Sequence, residues 1–158
     1  MIRLDNKDIT ILFVEDDKID QMAFERYVRQ NQLSYKYILC DSINKAETAK
    51  AAQHFDAAVV DYLLTDGTGL ELVEKMRDLP IIFVTGQGDQ NIAVQAMKAG
   101  VYDYLVKDPN RNYLEKLPIM IDNAINQKKD RERLAAIEKE VEMLMWAVSK
   151  TDNSLVIA

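Results

Sequence analysis

The chain has one cysteine, Cys40, among its 158 residues. An internal disulfide is excluded, and the composition fits a reducing, cytoplasmic compartment. Cys40 falls in an apolar, strand-like run, which reads as a buried and inert thiol. Histidine is equally scarce. His54 is the only one; it sits in a loop with no catalytic partner nearby in sequence, so it reads as an exposed loop residue. No run approaches the roughly 20 apolar residues of a membrane span, and the segment after Met1 has no apolar leader-like core. An excess of basic charge is missing as well. Lys and Arg number 20 against 26 Asp and Glu, a net charge of −6. That argues against nucleic-acid binding by this chain, because phosphate contacts need Lys and Arg. Neither internal repeats nor low-complexity segments occur.

What is present is a globular composition, 48% hydrophobic and 29% charged, in a length sufficient for one domain with a real core plus an appendage. Ala57-Ala58-Val59-Val60 is an apolar run of strand length that ends in Asp61, with a Gly-containing turn behind it. Such runs read as strands buried on both faces. Further strands are expected at 10–14, 35–40, 81–84 and 103–106. Helices are expected at 18–31, 43–53, 69–77 and 89–98, the last closed by Gly100. In the first helix Ala23, Phe24, Tyr27 and Val28 share the core face, whereas Ile19 and Met22 fall off it. Strands alternating with helices at short spacing imply an α/β fold. The expected architecture is a doubly wound, five-stranded parallel sheet with right-handed crossovers.

A last helix is expected from about 112 or 117 to about 150. Leu134, Ile137, Val141, Leu144 and Val148 alternate three and four apart, the spacing of a coiled-coil seam. The run Gln127 to Arg133 ahead of it is polar. From Met143 to Val148 the helix is apolar nearly all round, and Trp146 lies off the seam. Ser154-Leu155-Val156-Ile157-Ala158 is strand-like, which suggests the beginning of a following domain. The expected division is 1–125, 126–150 and 151–158.

In a parallel sheet the carboxyl ends of the strands share one edge, and open α/β sheets place their chemistry there. Glu15 and Asp16 follow the first strand, Asp61 ends the third, Thr85 ends the fourth and Lys107 follows the fifth. Three carboxylates gathered at one edge repel each other, by about 4 kcal/mol per pair at ~4 Å and an effective dielectric near 20. A divalent cation removes that problem, and an all-oxygen set partly open to water suits Mg²⁺. A carboxylate beside such an ion can act as a nucleophile toward a phosphoryl group. Lys107 and Thr85 would then offset charge on the phosphoryl oxygens.

The segments Ile11-Leu12-Phe13-Val14-Glu15-Asp16-Asp17, Val59-Val60-Asp61-Tyr62, Phe83-Val84-Thr85-Gly86, Ala96-Met97-Lys98-Ala99-Gly100 and Tyr104-Leu105-Val106-Lys107 occur in the order found in the receiver domain of two-component response regulators. Over roughly residues 8–125 the chain resembles that family. The resemblance implies a flavodoxin-like sheet of order 2-1-3-4-5. It also implies phosphoryl transfer from a histidine kinase or a histidine phosphotransfer protein to Asp61, with no enzymatic turnover beyond self-phosphorylation and self-dephosphorylation. Mg²⁺ would be held by Asp16, Asp61 and the backbone carbonyl of Leu63, with Glu15 acting mostly through water. Thr85 and Tyr104 would form the switch, altering the face made by the fourth helix, the fifth strand and the last helix. Homodimers through that face or through the C-terminal helix are expected partners. The tail from Ala147 to Ile157 resembles, over few residues, the start of a PAS domain.

Three positions depart from the receiver pattern. Asp108 stands between Lys107 and Pro109, where the family usually has Lys-Pro with a cis bond; a cis bond without proline costs roughly 3 kcal/mol. Thr65 replaces a common proline, and the stretch from Asp61 to Thr85 is short. Leu63 and Gln87 fall where the family tunes water access. Leu63 has no side-chain hydrogen bond to offer, which implies slow self-dephosphorylation. Rival readings are a haloacid-dehalogenase-type phosphatase built on Asp66-Gly67-Thr68, a flavodoxin-like FMN binder, and a degenerate receiver serving as a dimerisation scaffold.

Overall fold

A computed structural model describes residues 8–86 and 90–156, with side chains described as far as Thr151. The chain divides into two compact units, Met1–Ile125 and Asn126–Ala158. In the first unit the elements run β1 (Ile9–Val14), α1 (Lys18–Gln30), β2 (Tyr35–Cys40), α2 (Ile43–Ala52), β3 (Ala57–Asp61), β4 (Leu63–Leu64), β5 (Gly67–Thr68), α3 (Leu70–Lys75), β6 (Ile81–Thr85), α4 (Gln90–Ala99), β7 (Asp103–Val106) and the start of α5 (Tyr113–Val156). The main sheet has five strands in the order β2-β1-β3-β6-β7, and every neighbouring pair is parallel. This is the expected doubly wound sheet. The two-residue strands β4 and β5 form a separate antiparallel hairpin that periodicity did not reveal.

Alternation along the buried strands sends side chains to two cores. On one side Leu12 and Val14 pack with Ile43, Leu72 and Met76. On the other, Ile11 and Phe13 pack with Phe24, Leu117 and Ile121. Phe13 stacks on Phe24, with ring centroids 4.1 Å apart. In α1, Phe24 and Val28 are buried as expected. Gln21 joins them because its amide donates to the Glu15 carbonyl, while Ile19 and Met22 stay exposed.

The helix ends follow local chemistry. Asp17 caps α1, its carboxylate accepting from the Ile19 amide at 2.7 Å. Ser42 caps α2 through the Lys45 amide at 3.1 Å. Gly100 takes a positive φ of 102° and closes α4: its amide donates to the Met97 carbonyl, and that of Val101 to Ala96. α3 has only six residues. Among the described residues no peptide bond is cis, so Lys107–Asp108 is trans.

The strand-like run expected from Ser154 is not a strand: α5 continues to Val156, and residues 157 and 158 lie outside the described residues. Extending a formed helix adds one hydrogen bond per residue fixed, whereas a strand needs a partner edge. In the second unit the seam residues Leu134, Ile137, Val141, Leu144 and Val148 are all exposed, as are Met143 and Trp146.

Candidate functional site

The parallel register brings the predicted residues to one edge. Val14 pairs with Val60 and Asp61 with Val84, and the ladder runs one residue further where the Glu15 amide donates to Cys40, that of Tyr62 to Val84 and that of Lys107 to Thr85. Glu15 and Asp16 therefore follow β1, Asp61 ends the adjacent β3, and Lys107 follows β7 on the far side of β6. Carboxylate oxygens of Glu15, Asp16 and Asp61 lie within 4.8 Å of one another. This close, all-oxygen set fits Mg²⁺, and at least Asp16 retains partial access to water.

Lys107 occupies the centre of the cluster. Its Nζ donates to Oε1 and Oε2 of Glu15 at 2.9 and 3.0 Å, to Oδ2 of Asp20 at 3.0 Å and to Oδ2 of Asp61 at 3.1 Å. Burial acts to lower the Lys107 pKa, but the charges of Asp61, Glu15 and Asp20 outweigh it and hold the ammonium above its ordinary range. Glu15 is 3% exposed. Burial, then the hydrogen bond and charge of Asp61, push it up to about 9 against the opposing pull of Lys107. With every group ionised, Glu15, Asp16, Asp20 and Asp61 against Lys107 and Arg111 leave two negative charges. A divalent cation would neutralise that excess.

Two members of this network were missed in the sequence. Asp20 lies in the first turn of α1 and binds both Lys107 and Arg111, whose Nε donates to its Oδ1 at 3.2 Å. Burial acts to raise the Asp20 carboxyl, yet Lys107 and Arg111 hold it below the usual carboxylate range. Arg111 has a positive φ of 56°, which turns the chain between β7 and α5. Asp108, in the place of the expected proline, faces the helix start: its carboxylate accepts from the Asn112 and Tyr113 amides at 3.0 Å each. Neither of these bonds draws its charge into the Lys107 network.

Thr85 is buried at the end of β6. It lines a groove of about 600 Å³ together with Gly86, Gln90, Asn91, Ala93, Tyr104 and Val106. Tyr104 is 38% exposed, so its ring borders the groove. The Leu63 side chain is 66% exposed, two residues past Asp61 at the base of the hairpin. Gln87 lies outside the described residues. His54 is exposed and pairs with Asp56, Nε2 to Oδ1 at 3.2 Å. Cys40 is buried, and burial and then Asp41 raise its thiol pKa.

Asp66 and Gly69 hold the loop behind Asp61. The Asp66 carboxylate accepts from the Ile43 and Asn44 amides at 2.8 and 3.1 Å. It is thereby committed to the start of α2, and Leu64, where a phosphatase nucleophile would stand, is a buried leucine. The Gly69 amide donates to the Tyr62 carbonyl at 2.7 Å. A Cβ at Gly69 would strike the Asp61 carbonyl, with Val60 Cγ1 at 2.8 Å and Phe83 Cε2 at 3.0 Å; the backbone passes too close for any side chain.

A five-stranded parallel sheet with an acidic cluster and a lysine at its carboxyl edge defines a receiver-type α/β module. Residues 11–117 match the response regulator receiver domain, and the chain belongs to this family. It is 39% identical over 135 residues to the methanogenesis regulatory protein FilR1 of Methanothrix harundinacea, covering 80% of this chain but 29% of FilR1. With the photosynthetic apparatus regulatory protein RegA of Rhodovulum sulfidophilum it shares 30% identity over 161 residues, covering 94% of this chain and 86% of RegA. The non-phosphorylated HemR receiver domain of Leptospira biflexa superposes with a TM-score of 0.62 at 28% identity, over 74% of this chain and 94% of that one. Among the described residues no helix is long and apolar enough to cross a membrane.

Proposed function

We propose that this chain is a phosphoacceptor of a two-component phosphorelay, taking a phosphoryl group onto Asp61 from a histidine kinase or a histidine phosphotransfer protein in the cytoplasm. One observation carries the reading: the Asp61 carboxylate lies 3.1 Å from the Lys107 ammonium and within 4.8 Å of the Glu15 and Asp16 oxygens. An Asp61 oxygen forms the bond to phosphorus as the bond to the donor breaks, and the donor leaves with the electron pair. Lys107 offsets negative charge on the transferring oxygens, and buried Thr85 supplies a hydroxyl at the neighbouring strand end. Asp16, Asp61, the Leu63 carbonyl and, through water, Glu15 would hold Mg²⁺, which when bound supplies positive charge to a phosphoryl oxygen and to the acidic cluster. The family belonging, the acidic set and its fit to a divalent cation support this assignment.

The groove between Thr85 and Tyr104 supports the switch. Thr85 would turn toward the phosphoryl group and Tyr104 inward into the vacated space, altering the face of α4, β7 and α5 for a downstream partner or a second copy. Exposed Val94, Met97, Val106 and Ile119 give parts of that face apolar character. The C-terminal part of α5, with its exposed seam, would join two copies, and the tail resembling a PAS opening would lead on to an output. A degenerate scaffold would not need Asp61, Thr85 and Lys107 all in place.

The test is incubation with Mg²⁺ and acetyl phosphate followed by intact mass measurement. One added phosphoryl group is expected in the wild type and none in Asp61→Asn. A wild-type chain that stays unmodified under these conditions, and with a cognate kinase, overturns the assignment. Because Leu63 cannot hold a water through its side chain, the phosphoryl group should persist beyond a few seconds; faster loss refutes that part.

A further inference from the structure

We propose that residues 133–148 form a parallel, in-register seam with a second copy of this chain, keyed by Arg133 of one copy against Glu138 of the other. This rests on the homodimer reading above and adds its direction and register. With Leu134 at position a of a heptad, Ile137 is d, Val141 a, Leu144 d and Val148 a. All five are exposed by 46–60% in the single chain, so their apolar surface is available to a partner. Arg133 then falls at g and Glu138 at e. In a parallel pair, g of one helix meets e five residues on in the other, which joins these two opposite charges twice across the dimer.

The antiparallel alternatives fit less well. One alignment sets Val141 against Asp130 and Leu144 against Gln127. Another brings Glu138 against Glu138 and Glu140 against Glu140. A third sets Leu134 against Thr151 and leaves Arg133 and Glu138 without an opposite charge. The parallel alignment matches all five apolar residues with themselves and pairs the charges. Val141 and Val148 at a with Leu144 at d favour two strands, against the preference of Leu134 at a with Ile137 at d for more.

The full chain would be tested by sedimentation and by thiol crosslinking. The expected wild-type species is a dimer. Glu138→Arg or Arg133→Glu should weaken dimerisation at least threefold, and the double reversal should restore it. In a Cys40→Ala background, Ile137→Cys and Val148→Cys should each crosslink to itself, and a mixture of the two should give no mixed product in excess of the self-linked ones. Predominant mixed crosslinks, or a double reversal no better than the singles, overturn the direction and register. A wild-type chain that remains monomeric at high concentration overturns the homodimer reading itself, whereas a trimer or tetramer overturns only the two-stranded seam.

Discussion

At the scale of single residues, the site is organised by competition for one ammonium. Lys107 is hydrogen-bonded to Glu15, Asp20 and Asp61 together, and in the proposed transfer it would have to turn to the phosphoryl group. Asp20 is the one of the three with no other part in the proposed chemistry. Removing its charge in Asp20→Asn should release Lys107 and raise the rate of phosphorylation by acetyl phosphate about threefold to tenfold, the scale of one partly exposed charge-assisted hydrogen bond. A slower variant would mean that Asp20 holds Lys107 in its working position. Glu15, Asp16, Asp61, Thr85 and Lys107 were legible because each stands at a strand end. Asp20 was not: it looks like any polar residue in a first helical turn, and its partner Lys107 is 87 positions away. Arg111 was hidden in the same way, since only the left-handed turn after β7 brings it back to Asp20.

Among the elements, the loop after β3 depends on two contacts that hydrophobic pattern does not encode. Gly69→Ala would drive a methyl group into the Asp61 carbonyl, Val60 and Phe83. We expect a loss of about 1–3 kcal/mol of stability in denaturant titration, together with slower phosphorylation because the end of β3 must shift. Asp66 ties this loop to α2, and the Ile43 amide, then burial against it and the Asn44 amide, leave its carboxyl below the ordinary range. A depressed folded-state pKa means stability that is present above the unfolded value, about 3.9, and lost as pH falls through the folded one. Asp66→Asn should therefore lower the melting temperature at neutral pH, with the gap to wild type closing below about pH 4; a gap that persists in acid would point to packing instead. The short α3 and the missing cis bond likewise reflect local exchanges. Asp108 caps the approach to α5 through two amides, a job open to an aspartate and closed to a proline. The tail misled because Leu155-Val156 has strand character on its own, and context extended the helix through it.

For the whole molecule, the negative charge gathered at the sheet edge would link cation binding to folding. Mg²⁺ held by the folded chain alone should stabilise it by about 2.7 kcal/mol at a hundredfold excess over its dissociation constant. The melting temperature should rise with added Mg²⁺, fall back on chelation and respond little in Asp16→Asn. An equal response in that variant would place the ion elsewhere. The parallel sheet was legible because its buried strands are unbroken apolar runs, whereas its order came from the family resemblance; a Phe83→Ala substitution in their midst should cost ~3–5 kcal/mol.

Cys40 gives this molecule a built-in clock. It is the only thiol in the chain, it is 3% exposed, and it closes the edge strand β2 beside Val14. A maleimide or disulfide reagent can reach the sulfur only when that edge comes away. The labelling rate of the untouched wild-type protein would thus time the opening of the sheet, and slower labelling after phosphoryl loading would register, without any introduced probe, how tightly the occupied site closes the structure.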